Sequence, residues 1–157
     1  MKRSYRIWVN RRMLSVTVMV LSAGLVFAGG RGEQEPFETS DVWARATAGI
    51  PRNGAAYLRI TNNTDRDDVL IGGQTGVAEV VEIHTHERNG DVMVMRPLPD
   101  GVEVASGETI VLEPMGLHVM LIGLTGPLEA GESFELELHF ASGARVTTQV
   151  EVRPLRN

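Results

Sequence analysis

The 157-residue sequence contains no cysteine, and its only lysine is Lys2. Without cysteine there can be no disulfide, no thiolate zinc site and no cysteine-ligated blue-copper centre. The sequence also lacks a nucleophile-elbow motif and a phosphate-binding glycine loop with its lysine. We therefore expect no enzymatic activity, and a soft metal ion would have to be held by methionine and histidine.

Charge is divided unevenly along the chain. Five of the fifteen basic residues lie in positions 1–28, which hold no acid, so the remainder carries ten basic and twenty acidic residues. That remainder has a charge of about −10, which disfavours nucleic acid as a partner. The basic start, the apolar run 13–28 and the small residues at its end predict a cleaved secretory signal at 1–28, with an uncleaved anchor as the alternative. We expect a periplasmic or otherwise extracytoplasmic protein without a membrane span in its mature form.

Residues 29–37 are polar and rich in glycine, so they predict a linker before a domain at 38–153. Short alternating runs separated by Gly, Pro, Asn and Asp then continue to the end of the domain, and no dozen residues show a helical period. The predicted strands cover 56–61, 69–71, 77–86, 92–96, 102–104, 109–112, 117–124, 134–140 and 146–152. Nine or ten such strands predict an all-β antiparallel sandwich or Greek-key barrel.

Methionine and histidine cluster in one part of this domain. Its four methionines lie between 93 and 120, and three of its four histidines lie in or just before that window. Side chains alternate between the two faces of a strand, so His84 lies on the other face of its strand from Val81 and Ile83. In the same way Met95 lies on the other face from Val94. His118 and Met120 share the face of their strand that is turned away from Val119. A single methionine usually fills a core and a single histidine is usually solvated, as we expect for His139 beside Glu137. The repeated phase instead predicts that each of these strands buries its aliphatic residues and that the opposite faces form one functional surface.

Two imidazoles and two thioethers indicate copper. Thioether sulfur binds Cu(I) well and zinc, magnesium or calcium poorly, so Cu(I) is preferred, with Cu(II) as a second oxidation state. The predicted metal ligands are His84, Met95, His118 and Met120, with His86 and Met93 as accessory candidates. Asp65, Asp67 and Asp68 resemble a calcium loop only loosely, and a solvated turn is the better interpretation.

These residues resemble the copper-binding signature of the periplasmic PCu(A)C copper chaperones. The similarity spans most of residues 40–152 and includes blocks at 42–47, 54–58, 81–84, 90–96 and 112–121. It implies a cupredoxin-like β-barrel that carries Cu(I) through the same four residues. His86 stands where relatives often carry another residue, frequently methionine.

The resemblance also implies delivery of Cu(I) to the copper centres of cytochrome c oxidase, chiefly the binuclear CuA site. The acceptor would be an oxidase subunit or another copper chaperone. Two other interpretations stay open from the sequence: a copper-buffering or resistance protein with no dedicated acceptor, and a purely structural β-sandwich module.

Overall fold

The computed structural model describes residues 35–49 and 51–154, which form ten β-strands and no helix. Their bounds are β1 Phe37–Arg45, β2 Asn53–Asn62, β3 Asp68–Thr75, β4 Ala78–Asn89, β5 Val92–Pro97, β6 Val102–Val104, β7 Thr109–Leu112, β8 His118–Leu124, β9 Ser133–Phe140 and β10 Arg145–Arg153. Within these ranges no segment qualifies as a membrane-spanning helix. The predicted signal at 1–28 and the first part of the linker lie outside the described residues.

Seven of the strands close into a barrel in the order β4, β8, β2, β1, β10, β9, β3, and the pair Gly73–Val81 joins β3 back to β4. Strands β5, β6 and β7 extend it by pairing with β4, β3 and β2. The all-β barrel predicted from the alternating runs is confirmed. One pair departs from the predicted antiparallel order, because β1 and β10 run parallel.

The barrel is filled by the apolar half of each alternating strand. In β9, for example, Phe134 and Leu136 are buried while Glu135 between them is exposed. Each aliphatic side chain removed from water contributes about 1.5–3 kcal/mol. The alternate residues of each strand therefore face outward. These outward-facing residues include the histidines of β4 and the histidine and methionine of β8.

Strand β1 was missed in the sequence because its apolar residues do not alternate regularly. A bulge between Ser40 and Trp43, with Asp41 at φ 50°, shifts the register midway along the strand. Phe37, assigned from the sequence to the end of the linker, is the first residue of β1. It is buried and stacks on Phe140 with ring centroids 3.8 Å apart.

The expectation that the aliphatic residues of β5 would be buried is wrong. Strand β5 pairs with β4 alone and lies outside the closed barrel. Neither face of β5 is covered by a hydrophobic core, unlike the inner faces of the barrel strands, and Val92 is 62% exposed. The alternation between Val94 and Met95 therefore reflects strand geometry here, without a core behind it.

Asn62 is a fully buried polar residue in a segment that the sequence assigns to a turn. Its Nδ2 donates to the carbonyls of Val104 and Arg66, each at 2.8 Å. Its Oδ1 accepts from the backbone N–H of Thr64 at 3.0 Å and from the Thr64 hydroxyl at 2.7 Å. One amide thus ties the end of β2 to β6 and to the following turn.

We expect Asn62→Ala to lower the free energy of unfolding by about 2–4 kcal/mol, because it removes the donor to the buried carbonyl of Val104. Urea denaturation measures the loss. Asn63→Ala is the matched control, since Asn63 is exposed and its side chain makes one hydrogen bond, to the Glu35 carbonyl. Equal effects of the two substitutions would contradict the role given to Asn62.

Candidate metal centre

The centre of the candidate site is a pair of facing histidines. In the β4–β8 ladder His84 is the direct partner of His118, and their ring centroids lie 5.9 Å apart. Both lie on the outward phase, yet His84 is only 9% exposed and His118 only 2%. The sequence therefore brings two imidazoles together on the outside of the barrel in a place shielded from water.

Each histidine has one ring nitrogen occupied and one without a partner. Nε2 of His84 lies 2.7 Å from Oε2 of Glu82, and Nδ1 of His118 lies 3.0 Å from the carbonyl of Gly116. Carboxylate and carbonyl oxygens only accept, so these nitrogens carry the proton. The other two, Nδ1 of His84 and Nε2 of His118, are buried without any hydrogen-bond partner. Orphaned buried nitrogens with free lone pairs are what a metal ion would satisfy.

The two methionines extend this face to either side of the histidines. Met95 on β5 is the direct partner of His86, and Met120 on β8 is the direct partner of Glu82. Directly paired residues project from the same face of a sheet. Met95 and Met120 also line one shallow hollow of about 230 Å³, together with Arg45, Asn53, Ala55 and Tyr57. All four predicted ligands thus share one face, with the thioethers at its open side.

His86 lies close to the pair. Its ring centroid is 5.0 Å from that of His118, and its Nδ1 is 3.4 Å from the same Gly116 carbonyl, a long hydrogen bond. The described residues contain no group of three or more His, Cys, Asp or Glu side chains arranged to hold a metal ion. A metal site with more than two ligands, built on these two imidazoles, would therefore have to use the thioethers.

Residues outside the predicted ligand set support the site. Glu82 could have been suspected, because it shares the strand face of His84 two positions away. Gly116 acts through its backbone carbonyl and gives no sequence signal. Met115 beside it has φ 68°, unusual for a residue with a side chain, and is 63% exposed.

Met93, the other accessory candidate, and His139, which was not predicted to be a ligand, lie apart from the pair. Met93 is the partner of Arg88 and is 39% exposed. His139 lies on β9, where its Nε2 is 2.8 Å from Glu137 Oε1.

Burial and neighbouring imidazoles act on the protonation of His118. Desolvation is the main influence and lowers the pKa of His118, and the positive charges that His86 and His84 would carry lower it further, against the Gly116 carbonyl, which raises it. A depressed pKa keeps His118 neutral, which is the form that binds a metal ion.

Comparison with known proteins places this architecture in a family. The family model described as "Putative lipoprotein LpqE-like" matches residues 37–152. The chain belongs to the LpqE-like family. A curated relative from Leifsonia xyli subsp. xyli carries the same lipoprotein description and is 28% identical over 116 residues, covering 74% of this chain and 69% of the relative.

Solved structures show the same fold in PCuAC domains. The solution structure of CuI-DR1885 from Deinococcus radiodurans is 30% identical, with a TM-score of 0.55, and the match covers 73% of this chain and 78% of that one. The copper-bound PCuAC domain from PmoF2 has a TM-score of 0.63 at 21% identity, over 77% of this chain and 95% of that domain. The resemblance to the PCu(A)C family drawn from the sequence is confirmed, whereas the four metal ligands stay a prediction.

The tautomers of the two histidines can be tested in the metal-free protein. We expect a proton on Nε2 of neutral His84 and on Nδ1 of neutral His118, because Glu82 and Gly116 are acceptors. Long-range ¹H–¹⁵N correlation spectra distinguish the two tautomers. His139, whose Nε2 contacts both Glu137 and Arg145, provides an internal reference outside the site. The opposite tautomer at His84 or His118 would exclude the proposed free lone pairs.

The lowered pKa of His118 also predicts a pH dependence of stability. In the unfolded chain this histidine takes up a proton near pH 6.5, whereas the folded protein resists protonation. The stability that comes from keeping His118 neutral is therefore fully present above about pH 6.5. The free energy of unfolding falls as the pH drops below that value. Urea denaturation of the metal-free protein between pH 7.5 and 5.5 should show this decline, and His118→Gln should reduce its slope. An unchanged slope would place the responsible group elsewhere.

Proposed function

We propose that this protein binds one Cu(I) ion and carries it between copper proteins outside the cytoplasm. The ligands would be Nδ1 of His84, Nε2 of His118 and the sulfurs of Met95 and Met120. The observation that carries the proposal is the pair of buried imidazole nitrogens without partners, on a face shared with the two thioethers. In the metal-free protein each orphaned nitrogen costs free energy, which a bound metal ion would offset.

The charge of the ligand set supports Cu(I) over divalent ions. All four ligands are neutral, and the nearby carboxylate of Glu82 is hydrogen-bonded to His84. A buried site without an anionic ligand carries the full charge of its metal, so a monovalent ion costs less to desolvate than Zn(II) or Cu(II). Thioether softness favours the same ion.

Accessibility supports transfer rather than permanent storage. Met95 is 43% exposed, so an incoming ligand from another protein could reach the metal from the side of β5. Relatives described as CuI-DR1885 and copper-bound PmoF2 show that copper is held by other proteins with this fold. We propose that this chain is likewise a carrier and has no catalytic role.

A more specific proposal concerns the protein that receives the copper ion. From its resemblance to the PCu(A)C chaperones, we propose delivery to the CuA centre of cytochrome c oxidase, directly or through another copper chaperone. The predicted signal at 1–28 supports an extracytoplasmic location. Copper buffering without a dedicated acceptor is the second candidate, since the exposed Met95 would equally serve exchange with small copper ligands.

Competition titrations test the metal and its ligands. We expect one Cu(I) per chain, bound more tightly than Zn(II). Met120→Leu keeps the side-chain volume but removes the sulfur, so it should lower Cu(I) affinity by more than the about 10- to 100-fold that loss of an outer hydrogen-bond partner costs a metal site. Met115→Leu is the matched control, because Met115 is exposed and outside the predicted set. Equal affinity of wild type and Met120→Leu, or tighter binding of Zn(II), would refute the ligand assignment.

His86 is expected to join the site when copper is oxidised, since Cu(II) prefers nitrogen ligands and the His86 ring lies 5.0 Å from that of His118. Electron paramagnetic resonance of the Cu(II) form should then lose nitrogen coupling in His86→Ala, while His139→Ala leaves the spectrum unchanged. If His86→Ala also leaves it unchanged, His86 is not a ligand of Cu(II).

A further inference from the structure

The hollow beside the two thioethers owes its shape to one small side chain. Ala44 pairs with Ala56 across β1 and β2, which places Arg45 opposite Ala55, and Ala55 in turn pairs with Met120. The row therefore runs Arg45, Ala55, Met120. A methyl group stands between two long side chains, and this leaves the hollow of about 230 Å³.

One wall of the hollow is formed by three residues that carry polar groups, Arg45, Asn53 and Tyr57. Among the described residues no carboxylate lies within 4.0 Å of the Arg45 guanidinium. Burial raises the pKa of the Tyr57 hydroxyl, and the positive charge of Arg45 nearby offsets part of that rise.

The opposite wall is apolar and consists of Met95 and Met120. A group that fits both walls has a short hydrocarbon stem and an anionic end. Arginine recognises carboxylates through paired N–H donors.

We propose that this hollow receives the carboxylate side chain of a protein partner, which Arg45 binds next to the copper ligands. The proposal rests on the proposed function, because the partner would be the copper acceptor. The carboxylate would fix the acceptor's orientation so that its own metal ligands approach Met95.

A protein side chain fits the hollow better than a free organic acid. Small-molecule sites usually enclose most of their ligand, whereas this hollow is shallow and open. Its surroundings suit an interface, since Val92, Met93 and Met95 on β5 are all exposed. The chain is acidic overall, so it attracts an acidic partner only where a positive charge is unpaired. Arg45 has no carboxylate partner among the described residues, whereas Arg153 beside it in the β1–β10 ladder is paired with Glu151.

The test uses the full-length, metal-free protein and two capped tripeptides, acetyl-Gly-Glu-Gly-amide and its Gln counterpart. In ¹H–¹⁵N spectra the Glu peptide should shift resonances around Arg45, Asn53 and Tyr57, and the Gln peptide should not. Arg45→Gln should weaken Glu-peptide binding at least about tenfold, as expected for loss of a charge-assisted hydrogen bond. Arg45→Lys should retain part of it. Arg66→Gln, which removes the same charge from an exposed loop, should leave it unchanged.

Three outcomes would overturn the proposal: no shift with the Glu peptide, equal shifts with both peptides, or equal binding by the Arg45→Gln variant. If free propionate binds more tightly than the Glu peptide, the ligand of the hollow is a small organic acid and the assignment of a protein partner is wrong. Cu(I) titration of Arg45→Gln is run in parallel and should match wild type. Because the peptide measurement needs no copper, a failure of copper binding and a failure of carboxylate binding are recorded separately.

Discussion

The register of β4 against β8 is the constraint on which the candidate site depends. It sets His84 directly opposite His118, while Ile83 and Val119 face each other one position away inside the barrel. A slip by one residue would turn the histidines into the core and the aliphatic residues outward. The burial of Ile83 and Val119 therefore holds the two imidazoles in place, and the hydrophobic core acts as the positioning device of the metal site.

Holding the histidine pair in this position lowers the stability of the metal-free protein. Two buried nitrogens have no hydrogen-bond partner, and burial opposes protonation of His118. Glu82 and Gly116 limit this cost by accepting from the other nitrogen of each ring, which also fixes where the lone pairs point. Local instability of this kind is common at functional sites, where a ligand satisfies what the fold leaves open.

The sequence predicted those parts of the structure that depend on alternation in strands buried on one face. The outward phase of His84, His118 and Met120 follows from Val81, Ile83 and Val119 beside them. Strand β1 was missed because a bulge breaks its pattern, and β5 was misjudged because an outer strand needs no buried face. Asn62 was assigned to the turn after the predicted strand 56–61, since no local signal distinguishes an exposed asparagine from a buried one. Gly116 acts through its backbone, and the hollow arises from pairing between β1, β2 and β8, which a single sequence does not specify.

The two halves of the candidate site differ in their access to solvent, and the difference follows from strand position. His84 and His118 stand on adjacent barrel strands and are almost fully buried, whereas Met95 stands on β5, outside the barrel, and is 43% exposed. A metal ion held between them would be shielded from water on the imidazole side and open to an incoming ligand on the thioether side. Retention and release would place opposite demands on a carrier, and the exposed ligand Met95 stands on a different strand from the buried imidazoles. This arrangement would let a partner displace a neutral thioether at the surface while the buried imidazoles still hold the ion.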